Sequence, residues 1–176
     1  MTLSPRPKLT FLPAELIARV RAGDSDALGE LYARTGGALA TLAHRLTGTR
    51  EDAEDVLHDV FLGLPEALQH YNERGQLEAW LRRVTARVAL MRIRSARRRR
   101  EVDVPLNIEA GAPNEDSLAL ERAVNELPDA LRVVLVLKMI EGYSHAEIAE
   151  LLEISQRASE QRLYRAIQML RARLDS

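Results

Sequence analysis

Between Arg82 and Arg100 the chain carries nine arginines, Arg82, Arg83, Arg87, Arg92, Arg94, Arg97, Arg98, Arg99 and Arg100, and no acid. Phosphate contacts depend on local clusters of cationic side chains more than on total charge, so this segment is suited to holding a polyanion. A solvated helix face is the plain alternative for any single arginine run. A second constellation begins at Ser144-His145-Ala146-Glu147. Its spacing is that of a capping box, in which the serine hydroxyl and the glutamate carboxylate each satisfy a backbone amide at a helix start. Ile148, Ala149, Leu151 and Leu152 give the short helix an apolar face, Glu153 and Ile154 form a turn, and Ser155 opens a second helix through Leu163, Ile167, Leu170 and Leu174. Helix, tight turn, helix is the arrangement whose second helix enters the DNA major groove. A helical hairpin that only builds a core has the same apolar spacing. On the outer side of the second helix, however, Gln156, Arg157, Glu160, Gln161, Tyr164 and Arg165 carry donors and acceptors that match base edges or phosphates.

Other chemistries find little support. The chain has no cysteine, which excludes disulfides, thiolate metal sites and cysteine nucleophiles and fits a reducing cytoplasm. Its four histidines, His44, His58, His70 and His145, are scattered, and no phosphate-cradling glycine loop occurs, so an enzyme is disfavoured. His58 with Asp55 and Asp59 could be drawn as a metal site, but a solvated helix face explains it better, and we expect neither metal nor cofactor. His145 reads as an exposed helix-start residue. No apolar run approaches the roughly 18 to 20 residues that span a bilayer, so membrane insertion is not expected and a cytoplasmic location is.

The elements that must position these groups are helices. Apolar residues recur at helical spacing through Leu16, Ile17 and Val20, through Leu39, Leu42 and Leu46, and through Val56, Val60 and Leu64, with no sustained strand alternation. Starts are signalled at Asp24, at Thr49 with Asp52, at Asp116, at Ser144 and at Ser155, and stops at Gly23, Gly48, Gly75 and Gly142. Pro65 should bend or end its helix. From about Leu77 a helix sets Leu77, Trp80, Leu81, Val84 and Val88 on one side, with Trp80 as a core anchor, and Arg83, Arg87 and Arg94 on another. Periodicity vanishes between Glu101 and Glu115, where Pro105, Gly111 and Pro113 accompany acids. The expected fold class is therefore all-α, with two small helical domains joined by a flexible linker. The divisions are a tail at 1–13, an N-terminal domain at 14–100, a linker at 101–115 and a helix-turn-helix domain at 116–176.

The order of these features resembles the small two-domain extracytoplasmic-function (ECF) sigma factors of bacterial RNA polymerase. The resemblance covers nearly the whole chain and is carried by Ala27-Leu28-Gly29-Glu30-Leu31-Tyr32, by Glu51 through Leu62, by Ala79-Trp80-Leu81, by Leu127-Pro128, by Glu141-Gly142-Tyr143-Ser144, by Glu147-Ile148-Ala149 and by Arg162-Leu163-Tyr164-Arg165-Ala166. It implies a sigma factor that binds polymerase core and directs promoter-specific initiation. Asp52, Asp55, Val56, Asp59 and Val60 would then dock on the polymerase core. Arg82, Arg83, Arg87, Arg92, Arg94, Arg97 and Arg98 would engage and help melt the minus-ten promoter DNA. Ser144, Gln156, Arg157, Glu160, Gln161, Arg162, Tyr164 and Arg165 would read the minus-thirty-five element. An anti-sigma factor is the further partner it implies. Two alternatives are a sigma-like mimic that sequesters an anti-sigma factor, against which the full arginine run argues, and a stand-alone helix-turn-helix regulator, which has no need of the acidic helix.

The sequence departs from the family pattern at several positions. Arg87 and Met91 stand where an asparagine and an aspartate are usual, and Pro65 where a large residue is. Leu152-Glu153-Ile154-Ser155 replaces a turn that commonly has glycine second. Ser159 removes the usual apolar partner of Ile154, which predicts a loosely packed start to the second helix. Glu160 would repel phosphate or else accept from a cytosine amino group. Charge is ordered as basic, acidic, basic: eight acids and one arginine lie between Glu101 and Asp129, and arginines dominate again from Arg157 to Arg173. The net charge of −1 is thus a cancellation. Acidic segments able to compete for the basic faces predict weak DNA binding by the free protein, relieved when docking on the polymerase separates them.

Overall fold

Helices begin and end where short polar side chains and glycine allow it. The computed structural model describes residues 12–72, 77–100 and 115–174. Helices α1 (Ala14–Arg21), α2 (Ser25–Thr47), α3 (Arg50–Gln69) and α4 (Leu77–Arg100) make the N-terminal domain. Helices α5 (Glu115–Asn125), α6 (Asp129–Met139), α7 (His145–Leu152) and α8 (Gln156–Leu174) make the C-terminal one. No strand occurs among the described residues, in agreement with the all-α expectation. Asp24 caps α2 by accepting from the amides of Asp26 and Ala27, and Thr49 caps α3 by accepting from Asp52. The start read at Asp116 falls one residue inside α5. Gly75 and all of the linker except Glu115 lie outside the described residues.

Of the two outcomes expected of Pro65, a bend or an end of its helix, the end is corrected. Pro65 does not end the helix, which continues to Gln69. The fully buried Leu64 and Leu68 flank the proline, and their packing outweighs the one backbone donor that it removes. Arg21 adds a tie at the end of α3, donating to the carbonyls of Leu68 at 2.9 Å and Tyr71 at 2.6 Å.

Within the N-terminal domain α1 packs on α2 and α3, and α4 lies against both α2 and α3. The buried stripe of α4 is rotated from the one drawn from sequence. Leu81, Thr85, Ala86, Ala89 and Leu90 face the core, while Leu77, Trp80, Val84 and Val88 are half-buried at its edge. Small side chains at Ala86 and Ala89 and a threonine that returns its hydroxyl to the Leu81 carbonyl let the α4 backbone approach its neighbours. Trp80 packs on Tyr71, with ring centroids 5.1 Å apart, as a peripheral anchor.

In the C-terminal domain α8 packs on α5, α6 and α7. Helix α6 is buried at six successive positions, Arg132 to Leu137, because it is also pressed against α2 of the other domain. Arg132 makes that contact polar as well as apolar. Its guanidinium donates to the carbonyls of Leu46 at 3.2 Å and Thr47 at 2.7 Å, and beneath it lies Gly48, the left-handed residue with φ +87° that terminates α2.

Two outcomes test this interface. A Cβ at Gly48 would meet the Arg132 Cζ at 2.9 Å in a backbone conformation that disfavours side chains. Gly48→Ala should therefore lower unfolding free energy by about 1–3 kcal/mol in a urea titration. The second concerns His44, half-buried in the last turn of α2. Its pKa is lowered from 6.5, chiefly by burial, with the Glu121 charge opposing and the Arg132 and Arg45 charges assisting. The unfolded chain then binds more protons here than the folded one, so the stability is fully present above the ordinary histidine pKa and is lost as pH falls through the depressed folded value. His44→Gln should flatten the fall in stability measured between about pH 7 and pH 5.

Candidate nucleic-acid interface

The exposed face of α4 is basic: Arg83, Arg87 and Arg94 point outward, beside Met91, which is 65% exposed. Two arginines read as DNA ligands are elsewhere. Arg82 is 1% exposed and pairs with Glu141 at 3.3 Å and Glu78 at 3.4 Å, so it is a buried structural cation in this arrangement. A buried guanidinium requires such partners, since an unpaired buried charge costs several kcal/mol. Arg92 is clamped between Asp55 and Asp59, each at 2.7 Å, and fixes α4 to α3. The hydrogen bond to Asp59 is the main reason that its pKa is raised. The side chains of Arg97 and Arg98 lie outside the described residues.

On α3 the sequence reading mixed two faces. Val56 and Val60 are 0% and 2% exposed, in the core, because they occupy the inner stripe of the helix. They support the acidic face from beneath and do not belong to a docking surface in this arrangement. Asp55 is exposed and Asp52 and Asp59 are partly so. Asp52 also accepts from the Thr49 hydroxyl at 2.7 Å. Leu62, 74% exposed, follows Asp55 and Asp59 at helical spacing on the same outer face and was not singled out from the sequence. Its signal was available: an apolar side chain one place beyond the inner stripe of Val60, Phe61 and Leu64.

The helix-turn-helix is built as its spacing predicts. Ser144 and Glu147 form the reciprocal capping box, with the Glu147 carboxylate 2.8 Å from both the Ser144 amide and hydroxyl. These bonds to Ser144 are the main reason that the Glu147 carboxyl titrates low, with Arg83 and Lys138 assisting. The Ser144 hydroxyl is thus engaged within the fold. Gln156, Arg157, Glu160, Gln161, Tyr164 and Arg165 are all exposed on α8, as read, and Arg162 is half-buried. Gln156 donates to Glu160 at 3.2 Å, which orients that carboxylate along the helix.

Two readings of this unit change. Ser159 is fully buried, and its hydroxyl lies 2.9 Å from Nδ1 of His145, which is itself half-buried. A polar link between the two helices stands where the sequence suggested slack, and His145 is not simply an exposed helix-start residue. The turn is made by Glu153 in the left-handed region, φ 57° and ψ 45°, the one such non-glycine residue among those described. Side chains there cost roughly 1–2 kcal/mol relative to glycine.

Comparison with known proteins identifies the class. A family model for sigma-70 region 2 matches residues 31–99 and one for sigma-70 region 4 matches residues 117–170, so α4 and the helix-turn-helix fall in separate matched regions. The ECF RNA polymerase sigma factor SigM of Mycobacterium tuberculosis is 32% identical over 164 residues, covering 92% of this chain and 82% of the relative. The RNA polymerase sigma factor CnrH of Cupriavidus metallidurans is also 32% identical, over 182 residues that cover 92% of this chain and 93% of that one. A solved structure of CnrH with the cytosolic domain of CnrY superposes with a TM-score of 0.54 at 31% identity, covering 92% of this chain and 96% of that one. The sigma factor RpoE in complex with the anti-sigma factor NepR from Bartonella quintana has the same fold, with a TM-score of 0.65 at 20% identity over 84% of this chain and 96% of that one. The chain belongs to the ECF sigma factor family of bacterial RNA polymerase.

Glu153→Gly should raise the unfolding free energy by about 1 kcal/mol, since glycine adopts the turn conformation without strain. A thermal melt gives the sign directly, and a lower midpoint would mean that the side-chain contacts of Glu153 outweigh its backbone cost.

Proposed function

We propose that this sigma factor docks on polymerase core through the outer face of α3, holds the minus-ten promoter strand on the outer face of α4 and reads the minus-thirty-five element with α8. The observation that carries this is the pairing, on one chain, of an exposed arginine face in region 2 with an exposed reader helix in region 4. Opening a duplex requires a basic surface that retains the separated strand by its phosphates. Arg83, Arg87 and Arg94 supply it, with the run from Arg97 to Arg100 following in sequence, while α8 presents side chains able to address intact base pairs. The contact face for the polymerase is Asp52, Asp55, Asp59 and Leu62. A complex with an anti-sigma factor is part of the proposal, supported by the solved RpoE relative that was captured with one. The protein acts as an initiation factor and not a catalyst, and works in the cytoplasm where the polymerase is. No helix among the described residues is long and apolar enough to cross a membrane.

Run-off transcription from a genomic promoter library with purified polymerase core should give specific products only when this protein is added. Reversing Asp55 and Asp59 to lysine should reduce retention of core in a pull-down at least about tenfold, although it also sets two lysines against Arg92 and loosens α3 from α4. Leu62→Asp separates these effects. It should weaken core binding with the melting temperature unchanged, and full retention of core by this variant would contradict the assigned face.

A further inference from the structure

Packing alone does not call for a hydroxyl at Ser159. The residue is fully buried on α8 at a position where an apolar side chain would remove more surface from water, and a buried hydroxyl needs a partner to offset its lost hydration. Thr35, Thr47 and Thr85, also buried, return their hydroxyls to the carbonyl four residues back in their own helices. Ser159 directs its hydroxyl to the neighbouring helix instead, to Nδ1 of His145 at 2.9 Å.

That bond turns the inner nitrogen of the ring against α8 and leaves Nε2, at the tip of the imidazole, on the outer side of a half-exposed residue. A hydroxyl both donates and accepts, so Ser159 keeps its bond whichever ring nitrogen carries the proton, and an anion at the tip draws the proton to Nε2. The carboxylates on either side are engaged by neighbours. Glu147 folds back as the cap, 2.8 Å from the Ser144 amide and hydroxyl, and Glu160 accepts from Gln156.

The position of the ring matters as much as its chemistry. In a helix-turn-helix on DNA the second helix enters the major groove by its N-terminal turns, while the first crosses the sugar-phosphate backbone. His145 is the first residue of α7 and Ser159 the fourth of α8, so the ring stands at the start of the crossing helix, against the first turn of the reader. Gln156, Arg157 and Glu160 lie exposed on that same end of α8.

We propose that His145 donates from Nε2 to one backbone phosphate beside the minus-thirty-five element, and that Ser159 is a positioning residue which holds the ring for that contact. This rests on the reading of α8 as the promoter reader and adds to it. The contact has no base preference of its own. It sets how the first turns of α8 seat in the groove, so a side chain that touches no base registers Gln156, Arg157 and Glu160 on theirs.

Two substitutions divide the functions of the ring. His145→Asn sets an amide near the place of Nδ1, keeping the Ser159 bond without the outer donor, and His145→Gln sets one near Nε2, keeping the outer donor without the inner bond. The probe is a fluorescein-labelled duplex carrying the upstream part of a promoter recovered by run-off transcription, bound by the full chain assembled with polymerase core and read by anisotropy. A matching set of duplexes replaces one phosphate at a time with an uncharged methylphosphonate. His145→Asn should bind the unmodified duplex at least about fivefold more weakly at an unchanged melting temperature, and His145→Gln less than about twofold more weakly, as the loss or retention of a hydrogen bond to a charged group requires. Ser159→Ala leaves the ring in place but unheld and should bind about threefold more weakly. At one linkage the methylphosphonate should weaken the parent as much as His145→Asn does and weaken His145→Asn no further, while elsewhere the two losses add. Parent-like binding by His145→Asn, equal losses in the Asn and Gln variants, or additive losses at every linkage overturns the contact, and full affinity in Ser159→Ala overturns the positioning role. Run-off product accompanied by any of these results leaves the initiation-factor reading standing, whereas no product overturns that reading and the contact with it.

Discussion

The arrangement of the two domains depends on one guanidinium. Arg132 has five N–H donors, and the five bonds that it makes engage four backbone carbonyls and one carboxylate. A charge only 4% exposed would otherwise oppose folding by several kcal/mol. Its environment is largely peptide carbonyls at helix ends, whose positions the helices themselves hold. The geometry is directional: the fork fits the end of α2 only with α6 at one distance and one rotation. Hydrophobic burial along α6 supplies attraction without direction, and Arg132 supplies the register.

From that register the other contacts between domains follow. With α6 fixed on α2, the segment after α6 brings Glu141 to Arg82, and α7 comes to lie along α4 with Glu153 reaching Arg94. Gly48 fits the same logic, since its lack of a side chain both ends α2 and makes room for the guanidinium. Stability is therefore unequal across the molecule. The core of each domain is apolar and close-packed, whereas the surface between α4 and α7 is held by solvated charge and is the more easily opened.

Much of this was legible in the sequence because it depends on near neighbours. Capping at Asp24, Thr49 and Ser144, the glycine stops at Gly23, Gly48 and Gly142, and the outward face of α8 each follow from residues within about four positions. What was misread depends on partners far along the chain. Val56 and Val60 were grouped with the acids beside them because composition does not distinguish the inner row of α3 from the outer one. Arg82 was grouped with its arginine neighbours because nothing near it marks Glu141, 59 residues away, as its partner. Ser159 looked like a packing defect until His145 was found against it, 14 residues before. Arg132 gave no sign at all, for its most telling partners are backbone atoms, which every residue has.

The charge pattern gains its meaning from the same distinction. Along the sequence, basic and acidic stretches alternate and cancel to −1. In three dimensions the cancellation is local, as Arg92 is neutralised by α3 acids and the outer arginines of α4 face the carboxylates of α7. The α3 acids were singled out in the sequence, whereas the α7-side carboxylates lie outside the acidic stretch from Glu101 to Asp129. Glu147, Glu150 and Glu153 belong to the helix-turn-helix itself and line a cleft together with Arg83, Arg87 and Arg94 of α4. Exposed pairs such as Arg94–Glu153 contribute roughly 0–1 kcal/mol each and are screened by salt, whereas the Arg82–Glu141 pair is buried and is screened far less.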